Sequence, residues 1–276
     1  MSSNNDKTFP VRGIRSRLFT VTIFVFLAIF VVGAAMLIVA DALYVDADAV
    51  HTVLTDVNIR HALWMSIWTS CTTVAISLVF AVPIGYALSR YRFFGHALVD
   101  TIIDLPIVFP PLVAGLTLLV FFSQTHIGRW IQEMGLEFVF QPKGIVLCQF
   151  VVSASFAIRS AKSTFDDVDR RLENVALTLG CTHWGSFFYV SLPLALHGII
   201  AGGILTWARA FGIFGPLMIF VGSFRGRTEV LPTTIYLEQS IGNLEVALAV
   251  ALLLISVAAL ALVSIRLLGG RAMLKL

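Results

Sequence analysis

STFDDVDRRLENVALTLGCTHWGSFFYVSLP, from Ser163 to Pro193, is the longest interruption between two apolar runs of the chain, and it decides what kind of helical protein this is. It reads as two short helices set at an angle. In the first, Val168, Leu172, Val175 and Leu179 recur at four, three and four residues, which marks one face of an amphipathic helix with Asp169, Arg170 and Glu173 on the other. Thr164 and Asp167 have the spacing of a capping box, with Asp in place of Glu or Gln, and the acids suit the positive start of a helix. Gly180 is the expected terminator. Thr182 then caps a second helix that presents Trp184, Phe187 and Phe188, and Pro193 restricts Leu192 before the next apolar run. A structured, partly aromatic surface in a polar loop invites a protein partner.

Both flanks of this segment are apolar. Ile145 to Ile158 precedes it and Leu194 to Val221 follows; farther out lie Leu18 to Ala40, Ala62 to Leu88, Ile102 to Phe122 and Leu244 to Leu268. A bilayer core about 30 Å thick takes around 20 apolar residues in helical form, because backbone groups there have no water to bond. The chain is 58% hydrophobic and 13% charged, against about half and a quarter in soluble domains. The expected fold is therefore an all-α membrane protein of about six transmembrane helices. Its parts are an N-terminal segment 1–17, a first span 18–40, a core 62–268 containing the loop 163–193, and a tail 269–276. The run from Ile145 is short and carries Gln149, Ser153 and Ser155, so it is expected among other helices rather than against lipid. Arg12, Arg15 and Arg17 before the first run resemble a signal peptide, but that run is too long and lacks a clean cleavage site.

Basic residues are retained on the cytoplasmic side. With the N-terminus inside, Lys7, Arg12, Arg15, Arg17, Arg90, Arg92, Arg159, Lys162, Arg170, Arg171, Arg266, Arg271 and Lys275 fall there, and both termini are cytoplasmic. The external segments, Asp41 to Arg60, Ser123 to Lys143 and Gly222 to Asn243, are too short for a catalytic domain.

Several function classes drop out. Nineteen basic against 16 acidic residues leave a dispersed charge of +3, which does not point to a nucleic-acid partner. Cys71, Cys148 and Cys181 share no metal-ligand spacing. No G-x-x-x-x-G-K-[ST] phosphate loop occurs, so ATP is not bound by that route. No cluster of His, Cys and acids occupies one depth, against a membrane enzyme, and no acid lies in the interior of a span, against an ion-driven secondary transporter.

The string ENVALTLGCTHWGSFFYVSLP resembles the cytoplasmic motif of ABC importer permeases, in which E-A-A is followed by a Gly and then an apolar residue and L-P. With Gly180 in register, Asn174, Val175 and Ala176 stand on the E-A-A, and Glu173 comes one position early. Asp104 to Phe122 and Trp207 to Tyr236 are similar to segments of molybdate and sulfate permeases, which usually have Glu where this chain has Ile213. The resemblance covers about Ala62 to Leu268. It implies a type I permease fold, a homodimeric or heterodimeric pair of permease subunits, two cytoplasmic ATPase subunits carrying ATP and magnesium, and an external binding protein. It also implies the plasma membrane of a bacterium or archaeon, the inner one where there are two, and coupling through Asn174, Ala176, Gly180, Trp184 and Phe187. The expected cargo is molybdate or a related oxyanion, tungstate or sulfate; the alternatives are another small solute or a secondary transporter.

Pro106, Pro110 and Pro111 must kink or restart the third span, for packing or for lining a pathway. Gly198, Gly202 and Gly203 permit close helix approach, within the subunit or at a dimer seam. Asp100 and Asp104 suit the start of the third span. Arg209 lies inside the fifth span with no acid three or four residues away. A charge at helix centre costs about 2.5 to 3.5 kcal/mol on insertion scales. It therefore either bonds carbonyls or another helix, or serves an anion pathway.

Overall fold

The computed structural model describes residues 14–273. Part of the basic pattern on which the side of the termini was read, Lys7, Arg12 and Lys275, lies outside the described residues, and so do the side chains of Arg15, Arg266 and Arg271. The helices are α1 (Ile14–Tyr44), α2 (Ala47–Thr55), α3 (Val57–Arg90), α4 (His96–Val108), α5 (Pro111–Gln124), α6 (His126–Glu133), α7 (Pro142–Asp167), α8 (Arg170–Thr178), α9 (His183–Ser186), α10 (Leu192–Phe211), α11 (Gly215–Phe220), α12 (Leu231–Ser240) and α13 (Leu244–Met273).

Among the described residues, five helical stretches are long and apolar enough to cross a membrane: residues 17–44, 57–90, 142–167, 183–211 and 244–264. The pair α4 and α5, bent by 109° at its break, is either a sixth, broken span or a re-entrant loop. The break falls at Phe109 and Pro110, because Pro110 and Pro111 supply no N–H to the ladder and Phe109 ahead of them turns extended.

The centre of the bundle is α7, packed against α3 on one side and α10 on the other. Small residues bring these helices together. A Cβ on Gly198 would lie 2.2 Å from Thr164 Oγ1 and one on Gly202 would lie 2.3 Å from Ser160 Cβ. Those two glycines therefore serve packing of α10 on α7 within the chain. Gln149, fully enclosed on α7, donates to the Ala210 carbonyl at 3.1 Å and accepts from Thr73 Oγ1 at 2.9 Å, so its burial leaves no amide group unpaired. Helix α1 leans chiefly on α13 and shows its apolar side chains outward along its length, as suits lipid. At the far end of α3 from Arg90, α2 and α12 cover the bundle; Ala49, Val53 and Leu231 join Trp207, Phe211 and Val250 in one apolar cluster.

Three local readings are corrected. The expected capping box at Thr164 does not form, because α7 continues through Asp167 and the Thr164 hydroxyl donates back to the Ser160 carbonyl at 2.7 Å. Asp169 caps α8 instead, accepting from the Arg171 amide at 2.9 Å. The fifth span is not Leu194 to Val221: helix starts at His183 and breaks at Gly212 to Phe214. Pro193 does not delay that start, because Phe187–Ser191 widen into a π turn in which the Leu192 amide bonds the Phe187 carbonyl. The wider turn accommodates a residue that cannot donate and whose ring would crowd the carbonyl four positions back.

Candidate functional site

Two places combine exposed or charged groups with unusual backbone: the α8–α9 end and the region where two spans break. At the first, Glu173 is the fastening. It is the buried acid of α8, and its Oε1 accepts from Arg90 Nε at 2.7 Å while its Oε2 accepts from the Tyr86 hydroxyl at 3.1 Å. Arg90 further donates to Ser89 Oγ at 3.1 Å and to the Val168 carbonyl at 3.0 Å. The two charged side chains are only 6% and 12% exposed, so their attraction is little screened. Ser89 Oγ also donates to Asp166 at 2.6 Å, and Arg170 donates to the Ser89 carbonyl. The loop is thereby tied to the last turn of α3 by ion pair and hydrogen bonds.

This inward turn of Glu173 reverses the amphipathic reading of α8. Leu172, Val175 and Leu179 face outward, while Glu173 and Ala176 face in. Of the five coupling candidates, Asn174 is exposed and borders a cavity of about 300 Å³ shared with Arg90, Glu173 and His183. Gly180 takes φ +94° and completes a Schellman turn, with its amide on the Leu177 carbonyl and the Cys181 amide on the Ala176 carbonyl. Trp184 is 74% exposed and stacks on Phe188 at 5.9 Å. Phe187 is not on that surface: it packs edge-on against Tyr86 at 4.8 Å and near Phe165, and with Ala176 it supports the loop from within. Phe188 and Tyr189 are the outward aromatics beside Trp184. Tyr189 was not picked out from the sequence, because only the π turn settles which aromatic of Phe187, Phe188 and Tyr189 points away.

At the second place, Pro110 precedes and Pro111 opens α5, and three residues separate the end of α10 from α11. These broken segments touch backbone to backbone: a Cβ on Gly115 would lie 2.6 Å from the Pro216 carbonyl oxygen. A cavity of about 390 Å³ is bordered by Pro111, Leu112, Val152, Arg209, Phe214 and Pro216. Arg209 is exposed on the surface of the chain, and its guanidinium carbon sits 5.6 Å from the centre of the Phe156 ring. Among the described residues no carbonyl or carboxylate bonds it. Arg159 is the opposite case, saturated by Asp100 at 2.8 Å, by the Asp100 carbonyl at 2.9 Å and by Asp104. Asp100 also meets Lys162 at 3.3 Å. The two acids thus join α4 to α7, beyond the helix-start role read for them.

Comparison with known proteins bears on both places. Residues 77–273 match the family described as binding-protein-dependent transport system inner membrane component. The molybdenum transport system permease protein ModB of Escherichia coli (strain K12) is 37% identical over 216 residues, 74% of this chain and 94% of that protein. The molybdate/tungstate transport system permease protein WtpB of Pyrococcus abyssi (strain GE5 / Orsay) is 43% identical over 164 residues, 59% of this chain and 61% of that protein. The fold is shared with a chain in the crystal structure of a bacterial alginate ABC transporter in complex with an alginate-pentasaccharide-bound periplasmic protein, at TM-score 0.71 and 15% identity, covering 93% of this chain and 94% of that one.

Proposed function

Because the chain belongs to the binding-protein-dependent transport system inner membrane components and is a multi-pass membrane protein, we propose that it is the permease subunit of an ATP-driven importer for a tetrahedral oxyanion. Molybdate or tungstate is the first candidate and sulfate the next. The α8–α9 end faces the cytoplasm in this reading, and the α2 and α12 end meets an external binding protein. The single observation that carries the proposal is the pairing of an outward aromatic patch, Trp184, Phe188 and Tyr189, with a buried fastening that fixes its position. Rigid placement is what a docking surface for a force-generating partner needs.

In this mechanism each of two permease subunits offers that patch to one ATPase subunit, which holds ATP and magnesium. Closing and opening of the ATPases would shift the α8–α9 surface, and the Glu173–Arg90 tie would carry the shift into α3. Rigid-body rocking of the two permease halves then exposes the central path to one side at a time. The chain forms no covalent bond with its cargo in this account. The test is purification of the complex from native membranes followed by reconstitution. An ATPase should co-purify, and ATP with the loaded binding protein should drive radioactive molybdate or sulfate into vesicles. Uptake sustained by an ion gradient without ATP would refute the reading.

A further inference from the structure

Arg209 contrasts with the arginines toward the ends of α3 and α7. Arg90 and Arg159 each meet carboxylates of this chain. Arg209 meets none among the described residues, and in the break just beyond it stands buried Ile213, an apolar side chain. Its depth follows from its neighbour. Phe156 lies 14 residues into α7 and three before the paired Arg159, so the guanidinium sits about one helical turn inward of that ion-pair cluster. A bare charge within a span avoids hydrocarbon and faces protein or water.

We propose that Arg209 is an anion contact on the translocation path, a fixed positive charge that a tetrahedral oxyanion meets beside the breaks of the third and fifth spans. The proposal rests on the oxyanion-permease reading. The bordering side chains, Pro111, Leu112, Val152, Phe214 and Pro216, are apolar, and a low-dielectric wall strengthens the field of a lone charge on an approaching anion. The guanidinium lies 5.6 Å from the centre of the Phe156 ring, a cation–π contact that uses none of its N–H groups and leaves them free to bond two oxygens of the anion. One charge without further donors holds an anion loosely, which suits passage rather than storage.

The test uses the full complex, permease with ATPases and binding protein, in vesicles supplied with ATP and radioactive molybdate. Arg209→Gln should assemble and melt as the parent does while uptake falls by about ten-fold or more, and Arg209→Lys should recover part of it, since the charge returns without the planar fork. Uptake by Arg209→Gln within about two-fold of the parent would overturn the proposal and leave the permease reading standing. So would a matching loss of assembly or melting temperature, which would make Arg209 a structural contact to a second subunit. If the parent complex imports molybdate, tungstate and sulfate no faster than empty vesicles, the oxyanion reading itself falls, and this proposal with it.

Discussion

Replacing Glu173 by Gln tests the fastening of the α8–α9 surface with a change of one atom. The carboxylate meets Arg90 at 2.7 Å and Tyr86 at 3.1 Å, in a pocket where the two charged side chains are 6% and 12% exposed. Removing one partner of a buried ion pair costs about 3 to 5 kcal/mol, because the other charge is left without compensation. Two features reduce this. Arg90 keeps Ser89 Oγ and the Val168 carbonyl as acceptors, and the Gln carbonyl oxygen can still accept one bond. The expected loss is therefore about 2 to 3 kcal/mol, located at the contact of α8 with α3. It should appear as faster hydrogen exchange of the α8 amides in detergent and as weaker binding of the ATPase, with membrane insertion unchanged. The double variant Arg90→Met, Glu173→Leu removes both charges and should recover most of the protection. Exchange in Glu173→Gln indistinguishable from the parent would refute the idea that this pair holds the loop.

Gly180→Val puts a β-branched residue at φ +94°, which costs about 1 kcal/mol or more and displaces Trp184; expression should persist while ATP-dependent uptake is lost, and normal uptake would remove the turn from the mechanism. Burial raises the pKa of Glu229, outside the spans, with Glu238 and Asp56 adding to the rise and Thr234 and Arg225 opposing it. Because the folded state then holds the proton more tightly, its contribution to stability is complete below the ordinary value of about 4.3 and falls as pH rises toward the folded value. Glu229→Gln should flatten that decline in a thermal-melting series, and an unchanged slope would count against it. For orientation, a cysteine at exposed Leu54 in a background without Cys71, Cys148 and Cys181 should react with an impermeant reagent on intact cells, and one at Trp184 should not; the reverse pattern would invert the topology.

The spans were legible because burial in lipid demands long apolar runs, a signal that survives without knowledge of contacts. The break at Pro110 was legible for a similarly local reason, since a proline removes a donor wherever it stands. The break after Phe211 was not. Gly212, Ile213 and Phe214 continue an apolar run, and the helix ends there where Pro216 stands in the first turn of α11 and α11 packs on α5. Glu173 illustrates the same limit at the candidate site. Its spacing put it opposite the apolar residues of α8, which predicts an exposed acid, but Arg90 and Tyr86, more than eighty residues away, pull it inward and turn Leu172, Val175 and Leu179 out. Arg209 could be flagged from the sequence as costly. That no carboxylate or carbonyl among the described residues bonds it is visible only once α7 and α10 are placed side by side.

The π turn at Phe187–Ser191 makes the aromatic patch and Arg209 parts of one helix, 29 residues from His183 to Phe211. At 1.5 Å per residue this is a strut about 43 Å long. Pivoted at its middle, a tilt of about 10° swings each end by about 4 Å in opposite senses. Such a lever needs no relay of side chains between the ATPase and the membrane interior. A push on Trp184 would arrive at Arg209 as a counter-swing, with Gly212 to Phe214 as the joint that lets the distal segment stay behind.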